Sequence, residues 1–147
     1  MLAPVILAIV TAIAGHPTTV ACDADSNPSP FPTAPGYVVA AWTLTGGDTI
    51  HALPLLCNES RYPLGSTEFA AAIETFIHEA ARARGVVTDS CAQLTADEGV
   101  YDVLRRWYGV PFFSPMSEQV GAQVLSLTRK LPASYQPELC WNSGSYG

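Results

Sequence analysis

Residues 66–85, STEFAAAIETFIHEAARARG, read as one amphipathic helix. A small polar residue, Ser66 or Thr67, opens it, Glu68 sits in its first turn, and Gly85 follows Arg84 at its end. Phe69, Ile73, Phe76, Ile77 and Ala80 recur at three- and four-residue spacing and form one apolar stripe. At about 100° per residue, His78 falls about 160° from Phe76 and about 140° from Ile73. Arg82 lies about 40° from His78, and Glu79 about 100° from it on the other flank. The helix is therefore expected to back onto a core and to turn His78 and Arg82 towards a cleft or solvent.

Two further helices are expected downstream. One runs from about Ser90 to Tyr108, with Ser90 and Gln93 as a capping box, Gly109 as its stop and Pro111 beyond. The other runs from about Pro115 to Leu131, opened by Ser114-Pro115 and closed by Pro132. The tail through Cys140 and Trp141 shows no regular pattern. In the second helix Asp97, Glu98 and Asp102 alternate with Arg105 and Arg106, the spacing of solvated ion pairs. Trp107, Tyr108, Phe112 and Phe113 read as core or helix-capping aromatics.

Upstream, Tyr37–Thr45 (YVVAAWTLT) and Thr49–Leu53 read as two strands joined by the turn Gly46-Gly47-Asp48. Asp23–Gly36 (DADSNPSPFPTAPG) carries four prolines and little to bury, which reads as a linker. Leu2–Ala14 is an apolar run broken only by Pro4 and Thr11, short for a bilayer span but suited to a signal-peptide core. Small-residue cleavage patterns follow at Ala12-Ile13-Ala14 and Thr19-Val20-Ala21. The alternatives are a buried N-terminal helix or strand, and a lipid anchor on Cys22. The expected organisation is a signal peptide or N-terminal membrane segment over 1–21, a Pro-rich linker over 22–36 and a single domain over 37–147. The fold class is α+β: a short antiparallel β-hairpin followed by a three-helix unit, stapled by one or two disulfides.

Composition narrows the function classes. The 147 residues suffice for one core, and charged residues make up only 14% of them, well below the usual quarter. A net charge of -6 and a single lysine, Lys130, argue against nucleic acid as a partner. Cys22, Cys57, Cys91 and Cys140 are far apart and form no CxxC pair, so disulfides in an oxidising, extracytoplasmic compartment are expected over a zinc finger. All three connectivities remain open. Ser60, Ser66 and Ser90 lack a nucleophile-elbow context, and Gly46-Gly47 is a turn, not a phosphate loop.

The segment His78-Glu79-Ala80-Ala81-Arg82-Ala83-Arg84-Gly85 resembles the active helix of HExxH-type zinc metallopeptidases. It is most similar to small exported zincin-like proteins that carry HExxHxxG followed by an acidic residue. His78, Glu79 and Gly85 match that motif, Asp89 falls where the acidic residue stands, and Cys57, Cys91 and Cys140 loosely follow the group's layout. The resemblance implies a zincin-like domain in which His78 and Asp89 are metal ligands and Glu79 is the general base that polarises a zinc-bound water. The second histidine of the motif is replaced by Arg82, whose guanidinium has no lone pair for a metal. At roughly 6 Å and an effective dielectric near 20, its charge would repel a dication by about 5 kcal/mol. His78 and Asp89 alone are short of three ligands, and His51 or His16 would have to complete the set. An arginine paired with Glu79, Asp89 or Glu98 would instead make a salt-bridged relic.

The expected function is an exported zincin-like domain with a degenerate metal site, non-catalytic and serving a binding or structural role, with membrane anchoring through the N-terminal segment as an option. One alternative is an active zinc metallopeptidase with an unusual ligand set. The other is a cell-envelope structural or interaction module with no metal.

Overall fold

The computed structural model describes residues 1–143. Its elements in chain order are helix α1 (Val5–Ala14), strands β1 (Thr19–Ala21), β2 (Ala41–Trp42) and β3 (Thr49–Ala52), and helices α2 (Pro54–Glu59), α3 (Thr67–Arg84), α4 (Asp89–Tyr108) and α5 (Pro115–Arg129). A single 3-10 turn (Ala133–Tyr135) and helix α6 (Glu138–Ser143) follow.

The α+β class holds, and so does the hairpin, in shorter form. β2 pairs antiparallel with β3, Trp42 opposite His51 and Ala41 opposite Ala52. β1 pairs parallel with the other side of β3, Val20 opposite Ile50, so β3 is the central strand of three. Ile50 and Ala52 are fully buried while Thr49 and His51 are half-buried, the alternation that turns one sheet face onto the helices. Pro54 follows the end of β3 and opens α2, where its missing N–H costs nothing.

The first 36 residues differ most from the sequence expectation. The apolar run is α1, with Ile6, Ile9 and Val10 at 0% exposure inside the main core beside Ile73, Phe76 and Ile50. Residues 19–21 are a sheet strand, and Cys22 is bonded to Cys57, so the folded unit does not begin at residue 37 as expected for the domain. A mostly apolar stretch of ten residues suits a signal core and a buried helix equally, and periodicity cannot separate the two. No helix among the described residues is long and apolar enough to cross a membrane.

Helix α3 organises the rest. Ser66 Oγ accepts from Phe69 N, and Gly85 at φ 115° closes the other end in a left-handed conformation that only glycine adopts without strain. Twelve of its 18 residues are buried, because α1, α2, α4, α5 and the sheet all pack on it. Its polar side therefore faces protein, not open solvent. The cap of α4 is Thr88, whose hydroxyl accepts from Cys91 N; Ser90, expected as the cap, is the second residue of the helix and buried. Phe113, expected as a core or helix-capping aromatic, is 91% exposed at φ 62°. The tail is ordered into two short helical pieces by a second disulfide, Cys91–Cys140, so both staples form. Two such bonds suit an oxidising compartment, and each is typically worth about 2–4 kcal/mol.

Candidate functional site

Polar residues four apart share one face of a helix. On α3 these are Glu74, His78 and Arg82; on α4 they are Gln93 and Asp97. Where the two helices cross, the stripes meet and Thr128 of α5 joins them. Gln93 Oε1 accepts from His78 Nδ1 at 2.9 Å. The Gln93 amide nitrogen donates to Glu74 Oε2 at 2.9 Å and to Thr128 Oγ1 at 2.8 Å. Thr128 Oγ1 in turn donates to Asp97 Oδ1 at 2.6 Å. Gln93 and Thr128 are at most 1% exposed, so each of these bonds satisfies a group that water does not reach.

The other ring nitrogen of His78, Nε2, faces Asp89 Oδ1 at 3.2 Å. The imidazolium, which donates from both nitrogens, is the form of His78 that fits an amide oxygen and a carboxylate at once. Burial opposes that charge, but the Asp89 hydrogen bond and the Glu79, Asp89 and Glu74 charges outweigh it and raise the His78 pKa. Burial likewise pushes Asp89 up, while the bond from His78 and the His78 and Arg82 charges hold it below the usual range. Arg82 donates to Val87 O and lies 3.7 Å from Asp89. Tyr135, from the tail, stacks on the His78 ring at 5.4 Å between centroids and 14° between planes. Glu79 is 8% exposed and 3.9 Å from His78 Nε2. Burial raises its pKa to about 7, against the pull of the His78 cation. Glu74 is raised too, chiefly by burial.

These groups floor a cavity of about 340 Å³, near the lower end of small-molecule sites at about 300–1,000 Å³. Glu74, His78, Glu79, Asp89 and Gln93 line one side. The opposite walls are residues 32–34 and 37–41, from the expected linker and first strand, and the tail segment Leu131–Tyr135. Pro32, one of the prolines that read as linker, is thus part of a wall.

No family model, curated protein or solved structure matches the chain. The site therefore rests on its own chemistry.

The structure brings together His78, Glu79, Asp89 and Arg82, the residues that the sequence singles out. His51 and His16 lie elsewhere: His51 bonds Asp23 and stacks on Trp42, and His16 bonds Ala83 O. The donor set does not fit a zinc ion. Both His78 nitrogens face oxygen acceptors, Asp89 is engaged by His78 and Arg82, and a guanidinium stands where a third ligand is needed. Among the described residues no three His, Cys, Asp or Glu side chains are grouped to hold a metal. Sequence reasoning missed Glu74, Thr128 and Tyr135, took Gln93 for a cap, and took Asp97 for a solvated ion-pair partner when it ends the buried chain. The four-residue spacing of Glu74 to His78 and of Gln93 to Asp97 was the available signal.

Proposed function

We propose that this chain is an exported, zincin-like domain whose degenerate metal site is non-catalytic and serves binding. One observation carries the reading: the imidazole in the position of the first zinc ligand has both nitrogens committed to Gln93 and Asp89. Arg82, in the position of the second ligand, is paired with Asp89. A zinc ion would have to displace the Gln93 or Asp89 bond and sit near a permanent cation. The resemblance at His78, Glu79 and Gly85 supports the zincin-like part, the two disulfides support an extracytoplasmic location, and the cavity over the cluster supports binding.

Metal analysis of the purified, oxidised protein tests this reading. Zinc is expected far below one equivalent per chain, and Arg82→His, which restores an imidazole one turn from His78, is expected to raise zinc uptake. Near-stoichiometric zinc in the wild type, with peptidase activity lost on Glu79→Gln, would overturn the reading in favour of an active metallopeptidase. A cavity that takes up no small molecule, with partner binding unchanged by His78→Ala, would favour a purely structural module.

A further inference from the structure

The Glu79 carboxylate differs from every other acid in the buried cluster. Glu74 accepts from Gln93 and Thr75, Asp89 from His78, and Asp97 from Thr128. No hydrogen bond among the described residues reaches Glu79, although the residue is 8% exposed and lines the cavity. Its one ion-pair contact, with His78, is at 3.9 Å, beyond hydrogen-bond reach. The Glu79 oxygens are not among the sealed, unpartnered atoms of the described residues, so they reach the cavity, where water or a ligand with hydrogen-bond donors can supply the bonds.

The surroundings state what such a ligand is. Three carboxyl groups, Glu74, Glu79 and Asp89, line the cavity with His78, and the Arg82 guanidinium lies beside Asp89. Tyr37, Val39, Leu131 and Tyr135 contribute apolar and aromatic surface to the walls. We propose, building on the binding role above, that the cavity holds a small organic amine, its ammonium group donating to Glu79 and its apolar body lying between Tyr37, Leu131 and Tyr135. The volume of about 340 Å³ admits an arylalkylamine with room for ordered water. An ammonium carries three donors and no acceptor, which matches an open carboxylate and gives nothing to an anion-binding donor set. The aromatic walls favour the same charge, since ring faces attract cations.

The probe is phenethylamine, with 2-phenylethanol as its neutral counterpart and 3-phenylpropionate as the opposite charge, titrated calorimetrically into the full oxidised chain whose zinc content is measured on the same sample. The amine is expected to bind at least tenfold more tightly than the alcohol, and Glu79→Gln to remove at least tenfold of that affinity. Equal affinity for amine and alcohol, tighter binding of the carboxylate, or an unchanged amine affinity in a folded Glu79→Gln protein would each overturn the proposal. A second readout needs no variant. In the wild type the Glu79 carboxyl carbon resonance is expected to move with the amine and not with the alcohol, and saturation with that resonance unmoved would overturn the proposal. Failure of amine binding in zinc-free protein removes this inference alone, whereas stoichiometric zinc removes the reading beneath it.

Discussion

Two histidines in this molecule have the same kinds of neighbours and opposite settings. His51 bonds Asp23 at 2.8 Å and stacks on Trp42 at 4.2 Å between centroids. His78 bonds Asp89 at 3.2 Å and stacks on Tyr135 at 5.4 Å. The first trio lies at the sheet surface, with Asn27 as its further hydrogen-bond partner. The second is sealed between α3, α4 and the tail, and its further partner, Gln93, is itself buried and tied to two more helix-borne groups. A histidine, a carboxylate and an aromatic ring do not make a site. Exclusion of water does, because it strengthens each interaction and leaves an open acceptor such as Glu79 with a demand to be met.

The largest expected difference between the two places comes from their amides. Gln93→Leu leaves His78 Nδ1, a Glu74 oxygen and Thr128 short of a partner, and should cost about 3–5 kcal/mol in urea unfolding. Asn27→Leu should leave the unfolding midpoint unchanged, and a comparable loss at both would erase the contrast. Next is the seal itself. Cys91→Ser with Cys140→Ser opens a loop of 49 residues' separation, expected to cost about 4 kcal/mol. The freed tail should uncover His78 to diethyl pyrocarbonate while the His51 reaction rate stays the same; an unchanged His78 rate would show that the tail does not guard it.

The smallest expected effect is on pH dependence. Glu79 titrates at about 7 in the folded chain against an ordinary 4.5, so the folded state holds its proton more tightly than the unfolded state. Its contribution to stability is present below pH 4.5 and disappears as pH rises through about 7, a decline on the order of 3 kcal/mol. The raised pKa of His78 acts in the same direction and carries the decline further upward. Glu79→Gln should flatten the curve between pH 5 and 7, which unfolding midpoints measured across that range would register.

The helices were legible and the N-terminal region was not, for physical reasons. Caps and stops are local, so the ends of α3 followed from Ser66 and Gly85 alone. The parallel pairing of β1 with β3 joins residues thirty positions apart through a three-residue strand, which leaves no local pattern. Four residues of the site were legible because a known motif names them. Its helix-borne remaining members, Glu74, Gln93, Asp97 and Thr128, look like surface residues until α3, α4 and α5 are brought together. A wheel built on one helix could say that His78 leaves its own apolar stripe. It could not say that another helix would be waiting there.

The direction of the Gln93 amide has one more consequence. Its oxygen points to His78 only while that ring nitrogen bears hydrogen, and its nitrogen then serves Glu74 and Thr128. A neutral ring that kept hydrogen on Nε2 would set lone pair against lone pair at Gln93, and relief by turning the amide over would aim its oxygen at Glu74. A neutral ring that kept hydrogen on Nδ1 would do the same damage at Asp89. Only the first of these reverses the line of donors through Gln93; the second leaves that line intact and costs the bond to Asp89. The three helices share a single polarity, and it is written in the hydrogens.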